Sequence, residues 1–227
     1  MISSHRRVAT IAIAACCAVP AAGAMAASAS AAALNANKAC YVNANPAQGA
    51  PMVITGSGFV AGTTVQLTGG TTFGSAVADA NGNVTIAAQA PELATIAPAS
   101  KTTTLTATAD NPDTSTTTAQ LKVQSANLAV ATSPGSVRNV RNDKVTFSFS
   151  GFVPGKHIYG YYVRKKVVAK AKYGKAKGAC GVLKQKALLF PGGRPQKDKY
   201  QVTFESSSKF NKSAFPRVTG TLNILHF

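Results

Sequence analysis

The sequence predicts an all-β protein built from two β-sandwich domains in tandem. A six-residue motif occurs twice, as SGFVAG at 57–62 and as SGFVPG at 150–155. The copies start 93 residues apart, and this offset is the length of one small β-sandwich domain. Around both copies, alternating apolar residues lead into the motif and a second such run leaves it, as expected of two strands joined by a glycine turn.

Residues 1–33 are assigned to an export signal and a flexible lead-in, whose Ala, Ser and Asn composition continues to residue 38. A positive start at 5–7 precedes an apolar run, and Ala24-Met25-Ala26 offers a cleavage site. The run falls short of the roughly 20 apolar residues of a membrane span. We therefore expect a secreted protein, extracellular or retained at the cell surface, that does not span the membrane. A retained anchor and a lipoprotein acylated at Cys16 are the alternatives.

Residues 34–126 are predicted to form the first domain, of immunoglobulin-like type. The segment Asp79-Ala80-Asn81-Gly82-Asn83 predicts a hairpin, because Asn-Gly between alternating strands favours one. An EF-hand is excluded, because its calcium loop needs a glycine at the sixth position and a glutamate at the twelfth. Here Gly82 stands fourth and no glutamate stands twelfth. A Thr-rich stretch at 102–118 predicts a second hairpin that turns at Asn111-Pro112-Asp113, with a glycosylation target as the alternative.

Residues 127–227 are predicted to form a second immunoglobulin-like domain of very different charge. The first domain holds three lysines against four carboxylates, a formal charge of −1. The second holds 19 lysines and arginines against three carboxylates, a formal charge of +16. So high a charge repels itself and exceeds what solubility requires, which predicts a polyanionic partner. The boundary near 126–133 leaves only a short linker.

Two cysteines, Cys40 and Cys180, follow the export signal. In an oxidising compartment two cysteines usually pair, and this pair would tie the start of the first domain to the middle of the second. The repeat does not place them at equivalent positions, so neither domain is expected to hold an internal bridge. An intermolecular bridge and two free thiols are the alternatives.

The densest basic stretch runs from Arg164 to Lys177 without a carboxylate. Read as a strand from Lys166, it points Val167 and the other odd-numbered residues to Tyr173 at the core, and its even-numbered lysines at solvent. A lysine row that protects a sheet edge from aggregation is the plain alternative. The candidate polyanion-binding residues are Arg164, Lys165, Lys166, Lys170, Lys172, Lys175 and Lys177.

A specific nucleic-acid role is not expected. Lysine outnumbers arginine, whereas bidentate reading of bases relies on arginine. Tyr159 and Tyr161 lie near the cations and could stack on bases, but their spacing puts both on one strand face, which we assign to the core.

An enzyme is not expected either. No nucleophile-elbow, zinc-protease or phosphate-loop motif occurs, and no Cys/His cluster suggests a metal or another cofactor. His157 follows the second motif and is interpreted as a surface residue at the start of a strand. Asp198 and Glu205 could meet across a hairpin as an acid–base pair, but lysines lie beside each of them, so salt bridging is the simpler interpretation.

The second domain resembles the C-terminal module of secreted actinobacterial proteins with tandem immunoglobulin-like domains. The likeness rests on SGFVPG, HIYGYYV, a basic hairpin, GKAKGACG, the turn at 191–195 and KYQVTFE. The first domain matches through GSGFVAG and its Asp-Ala-Asn-Gly-Asn segment alone. The resemblance implies a β-sandwich and an extracellular or cell-surface place, and it brings no catalytic residue.

The function expected from the sequence is a non-enzymatic binding module whose basic second domain associates with anionic cell-envelope polymers, without a cofactor. One alternative is a structural or adhesive surface spacer whose charge only holds it at the cell. Another is a small-ligand carrier, which would need an apolar cleft of at least a few hundred Å³.

Overall fold

The structure, a computed structural model, describes residues 31–45, 48–137, 139–140, 142–192 and 195–224. These residues form strands and no helix, which confirms the predicted all-β class. The predicted export signal, as far as residue 30, lies outside the described residues. Among the described residues no helix is long and apolar enough to cross a membrane.

The first domain packs a three-stranded sheet against a five-stranded one. Its strands are β1 (Ala33–Ala36), β2 (Tyr41–Asn43), β3 (Pro51–Ser57), β4 (Thr64–Thr68), β5 (Thr72–Val77), β6 (Val84–Gln89), β7 (Ser100–Asp110) and β8 (Thr116–Asn127). The sheet orders are β1-β3-β6 and β2-β8-β7-β4-β5. Ile54 and Ile86 of one sheet and Leu67 and Leu105 of the other are fully buried between them.

The second domain is a sandwich of a three-stranded and a four-stranded sheet. Its strands are β9 (Ala129–Ser133), β10 (Lys144–Ser150), β11 (His157–Val163), β12 (Val167–Lys175), β13 (Leu183–Leu188), β14 (Asp198–Glu205) and β15 (Arg217–Ile224). The orders are β13-β10-β9 and β12-β11-β14-β15. Aromatic rings fill this core, with neighbouring centroids 4.9–6.0 Å apart: Phe147, Phe149, Phe152, Tyr173 and Phe204.

The repeated motif makes the same contact in both domains. Its phenylalanine is buried, and the backbone N–H donates to a glycine carbonyl, Phe59 to Gly82 at 3.2 Å and Phe152 to Gly181 at 3.3 Å. Both acceptor glycines have positive φ. A Cβ on Gly82 would stand 2.3 Å from the Phe59 carbonyl oxygen, and one on Gly181 would stand 1.6 Å from that of Phe152. Each motif therefore docks on a turn that requires glycine.

The two domains are joined through a single residue. The strand β8 ends at Asn127, β9 begins at Ala129, and the Leu128 N–H donates to the Asn43 carbonyl oxygen at 3.0 Å. The Ser150 hydroxyl donates to the Asn127 carbonyl oxygen at 2.6 Å. Hydrogen bonds thus hold both sides of the linker.

A disulfide also connects the domains. Cys40 and Cys180, 140 residues apart, are bonded, with their Cα atoms 5.2 Å apart. Beside it, a Cβ on Gly151 of the second motif would lie 2.8 Å from both the Val42 side chain and the Leu128 Cα. The domains therefore approach each other closely where the motif glycine meets the end of the first domain.

The residues assigned to a flexible lead-in are partly strand. Ala33–Ala36 pairs with β3 as the first strand, and Leu34 is buried in the core. The composition of the lead-in was misleading because one buried leucine and a strand partner suffice to order a segment of small residues.

The segment Asp79-Ala80-Asn81-Gly82-Asn83 is a turn, but the predicted hairpin is wrong. The strand β5 before it pairs with β4, and β6 after it pairs with β3, so the chain crosses between the sheets. The Asp79 carboxylate accepts the N–H groups of Asn81 and Asn83 at 2.8 Å each. These bonds reverse the chain but do not choose the partner strand. The predicted Thr-rich hairpin is confirmed as the pair β7 and β8.

Candidate anion-binding site

The hairpin of β11 and β12 carries the centre of the basic stretch. Lys170 and Lys172 are exposed, while Ala169 and Tyr173 are buried, as the alternation predicts. The alternation fails at the start, because the strand begins at Val167 and the register shifts where β11 ends. Val167 is therefore 38% exposed instead of buried, and Lys166 lies in the turn.

The assignment of Tyr159 and Tyr161 to the core is wrong. The core-facing residues of β11 include Ile158 and Tyr162, and the two tyrosines point to the opposite face, level with Lys172 and Lys170. The Lys170 ammonium lies 4.8 Å from the Tyr159 ring centroid and 5.6 Å from that of Tyr161. At this range the aromatic faces attract the cation, so the outer face combines lysines with rings.

A loop at 206–216 folds back over this outer face. Phe210 packs on Tyr161 with centroids 5.4 Å apart, and the Tyr161 hydroxyl donates to the Ser207 carbonyl oxygen at 2.8 Å. The Lys170 ammonium donates to the Ser208 carbonyl oxygen at 2.5 Å. Tyr161 is only 2% exposed as a result, and this burial, followed by the charge of Glu205, raises its pKa to about 12.

Beneath the loop lies a buried carboxylate. Glu205 is 0% exposed, and one of its oxygens accepts the Asn211 N–H at 3.0 Å. Burial raises the pKa of Glu205, while the Asn211 hydrogen bond and the charge of Arg217 act in the opposite direction. The Arg217 guanidinium lies 5.4 Å from the Phe210 ring centroid and also donates to the Lys212 carbonyl oxygen. These contacts position Arg217 and the loop together.

The loop and the β11–β12 turn enclose a cleft of about 490 Å³, here called the basic cleft. Among the described residues, five cations line it and no carboxylate does. Arg164 is ion-paired with Asp198 at 2.6 Å, and both side chains are 38% exposed. The lining residues are Val163, Arg164, Lys165, Lys166, Val167, Gln201, Phe210, Lys212 and Arg217.

The seven candidate residues do not form one site. Arg164, Lys165 and Lys166 line the basic cleft, whereas Lys170 and Lys172 lie further along β12. Lys175 ends the strand, opposite His157. Lys177 lines a separate cleft of about 430 Å³ that includes residues 98–100 of the first domain and 182–184 of the second.

Four lining residues of the basic cleft were missed in the sequence: Gln201, Phe210, Lys212 and Arg217. They come from β14, the loop and the start of β15, so only the pairing of β14 with β11 and of β15 with β14 brings them together. The one local signal is the absence of carboxylates from 206–217 around three cations and Phe210.

The second domain also has an apolar cleft, of about 280 Å³, between β9 and β15. Phe147, Tyr162, Val202 and Phe204 form part of its lining. This volume lies just below the range of about 300–1,000 Å³ that is usual for small-molecule sites, so it gives the carrier alternative little support.

The residues considered for acid–base chemistry are not assembled. Asp198 and Glu205 lie at opposite ends of β14, roughly 20 Å apart at the rise of a strand, so they do not meet across a hairpin. His157 begins β11 at the surface, where partial burial and then the charges of Lys172 and Lys175 lower its pKa. Among the described residues no three His, Cys, Asp or Glu side chains are grouped to hold a metal.

Comparison with known proteins finds similarity in solved structures alone. No protein-family model matches the sequence, and no curated protein does. One similar structure is a Ca²⁺-stabilised, ice-binding adhesin of an Antarctic bacterium, at 15% identity over 84% of this chain and 47% of that one, with a TM-score of 0.34. A second belongs to a 1.5-MDa bacterial ice-binding adhesin, at 12% identity over 84% and 62%, with a TM-score of 0.32.

A third similar structure is a tetra-tandem repeat from the extending region of a large adhesion protein. The identity is 17% over 85% of this chain and 48% of that one, with a TM-score of 0.27. The protein thus spans between 47% and 62% of the length of these three chains. At such TM-scores the likeness does not extend to function.

Proposed function

We propose that the protein is a secreted or cell-surface, non-enzymatic binding module whose basic second domain holds anionic polymers of the cell envelope. The observation that carries the proposal is the basic cleft, where the described lining residues include five cations and no carboxylate around about 490 Å³. Polyanion segments would replace the ammonium–ammonium repulsion inside the cleft with attraction.

The cleft, more than the lysine row, is the preferred contact. Lys170 already donates to a backbone carbonyl and lies over two aromatic rings, so part of its charge is satisfied within the domain. Lys165, Lys166 and Lys212 are exposed at the cleft, and their ammonium groups make no ion pair among the described residues. An anion would therefore gain most where these three lysines converge.

The chemistry of the cleft favours charge attraction over recognition of bases. Lys165, Lys166 and Lys212 are flexible point charges, while Arg164 is engaged by Asp198 and Arg217 is packed on Phe210. Point charges on long stems bind carboxylate or phosphate groups of any backbone that offers them at short intervals. The expected ligand is accordingly a repetitive anionic polymer.

The test compares three triple variants of the full secreted chain, each of which removes three positive charges. The cleft variant is K165Q/K166Q/K212Q, the row variant is K170Q/K172Q/K175Q, and the control on the opposite sheet is K144Q/K184Q/K186Q. Binding to purified cell envelopes, and to polyphosphate and polyglutamate as named probes, is measured over a salt series, with neutral dextran as the uncharged reference.

The cleft variant should lose roughly tenfold in affinity, since three exposed contacts of about 0.5 kcal/mol each sum to about 1.5 kcal/mol. Its salt slope on polyphosphate should fall by about 2, at roughly 0.7 per lost contact with a flexible strand. The control should change affinity by less than about twofold after allowance for net charge. Equal losses in all three variants would instead support the spacer alternative, in which the charge only retains the protein at the surface.

A further inference from the structure

The two sides of the second domain are protected very differently against pairing with other strands. On one side the edge strands β12 and β13 carry exposed lysines, such as Lys170 and Lys172 on β12 and Lys184 and Lys186 on β13. Lysines on an edge repel a second strand and are a common defence against association. On the other side β9 and β15 have no lysine, and their one charged residue is Arg217 at the first position of β15.

The apolar cleft lies on this unprotected side, and Gly220 opens it. Gly220 lies on β15 between Val218 and Leu222, on the face of the strand that looks into the sandwich. A Cβ added there would have nothing within 4 Å. Val202 and Phe204 are among the apolar residues that line the cleft. A side chain larger than that of glycine at position 220 would cover them.

The first domain carries a larger side chain at the equivalent position. The 93-residue offset equates Leu67 with Gly160, and following the strand pairing outward from these two residues equates Ala119 with Val218. Two residues further along each strand, Leu121 is equivalent to Gly220. Leu121 packs against the core of the first domain. The second domain thus lacks one leucine side chain at its free edge.

We propose that β15 pairs with β15 of a second copy of the protein, antiparallel, across a two-fold axis at Thr221. In that register Gly220 stands opposite Leu222 of the second copy, and directly opposed residues of an antiparallel pair point to the same face. The second copy's Leu222 therefore enters the cleft that Gly220 leaves open. The edge backbone groups of both copies gain partners at the same time.

A strand suits this place better than a small apolar molecule because it satisfies backbone groups and cleft together. Thr221 would face Thr221 of the second copy, and Thr219 would face Asn223, so uncharged pairs fill the outer face. The lysine-bearing edges remain on the far sides of the dimer. Repulsion between two domains of +16 each weakens the dimer, and salt relieves that repulsion.

The salt response separates this proposal from the polymer-binding one. Polyanion binding weakens as salt rises, whereas self-association through the neutral edge strengthens. Analytical ultracentrifugation of the full secreted chain should show a concentration-dependent dimer that increases with salt. Thr221→Lys and Thr221→Glu should each be monomeric, since like charges would meet at the axis, and a mixture of the two should form a heterodimer.

Three comparisons make the test specific. Thr64→Lys adds the same charge at an exposed position of β4 in the first domain and should leave the dimer unchanged. Thr221→Cys should form an intermolecular disulfide, since opposed Cα atoms at about 4.5–5.5 Å suit one, and Thr219→Cys should not. A wild-type chain that stays monomeric at all salt concentrations, or one that crosslinks through residue 219 instead of 221, would overturn the proposal. Stoichiometric dodecanoate binding to a monomer, lost in Gly220→Leu, would also overturn it and assign the cleft to a small ligand.

Discussion

Alanine at Gly82 should destabilise the first domain much more than alanine at Gly62, although the two glycines have nearly the same backbone conformation. Their φ angles are +75° and +77°. At Gly62 an added Cβ meets nothing within 4 Å, whereas at Gly82 it would stand 2.3 Å from the Phe59 carbonyl oxygen. The comparison therefore isolates the docking of the repeated motif from the cost of the left-handed backbone.

In both variants, alanine in the left-handed region lowers the free energy of unfolding by about 1–2 kcal/mol. At Gly82 the Phe59 carbonyl must also retreat by about 1 Å to reach ordinary van der Waals contact. This shift breaks or bends the hydrogen bond from the Phe59 N–H, worth about 1 kcal/mol, and loosens a side chain that is 5% exposed. Gly82→Ala should accordingly cost about 3–5 kcal/mol, and Gly62→Ala about 1–2 kcal/mol.

The assay is urea-dependent hydrogen exchange followed by mass spectrometry, because it reports the stability of each domain separately. Protected amides of β4 and β7 give the first domain, and those of β11 and β14 serve as the internal reference. The same contrast is expected in the second domain between Gly181→Ala and Gly155→Ala, where the Cβ contacts are 1.6 Å and none within 4 Å. A difference below about 0.5 kcal/mol between Gly82→Ala and Gly62→Ala would refute the reasoning, since it would show that the motif tolerates displacement.

Three further predictions concern the buried Glu205 carboxylate, the Asp79 carboxylate and the disulfide. Burial raises the pKa of Glu205 above its unfolded-state value, so this group adds stability at low pH that is lost as pH rises through the folded-state pKa; Glu205→Gln should remove that component from a pH series of thermal midpoints. Asp79→Asn should change the pH dependence of stability in the opposite direction. Hydrogen bonds, above all the one from the Asn83 N–H, lower the pKa of Asp79, so the stability that this carboxylate contributes is lost on acidification. The double variant Cys40→Ser/Cys180→Ser should lose up to about 5 kcal/mol of unfolding free energy, as the chain-entropy model gives for a loop of 140 residues. Urea unfolding measures this loss. No loss at all would mean that the interdomain hydrogen bonds alone hold the two domains together.

The repeat made the sandwich class predictable because its signal is local. The glycines of SGFVAG and SGFVPG have positive φ, and the phenylalanine between them is buried in both domains. A motif that needs particular residues at particular backbone angles is visible in sequence wherever it recurs. The segment at Asp79 shows the limit of such signals, since its side chain specifies a reversal while sheet pairing elsewhere decides which strands become neighbours.

Only the part of the candidate site that lies in one continuous stretch of sequence could be predicted. Lys165 and Lys166 belong to a continuous basic run, whereas Lys212 and Arg217 reach the cleft only through the pairing of β14 and β15. Tyr161 was assigned to the wrong face because its spacing from Tyr159 shows that the two tyrosines share a face but not which face packs on the core. The loop that follows β14 buries Tyr161 on the outer face, and no period-two pattern records that contact.

The charge of the second domain is best understood as two separate uses of lysine. Those on β12 and β13 line sheet edges, where their repulsion of other strands is useful whether or not a ligand binds. Lys165, Lys166 and Lys212 protect no edge pairing of this kind, and they converge on a cleft whose described lining residues include no carboxylate. This arrangement raises the electrostatic free energy of the unliganded domain. A cluster of like charges that lowers stability without protecting a strand is expected where the binding of a ligand offsets the repulsion. The row variant should therefore alter solubility and association through the β12 edge, while the cleft variant should alter polyanion affinity.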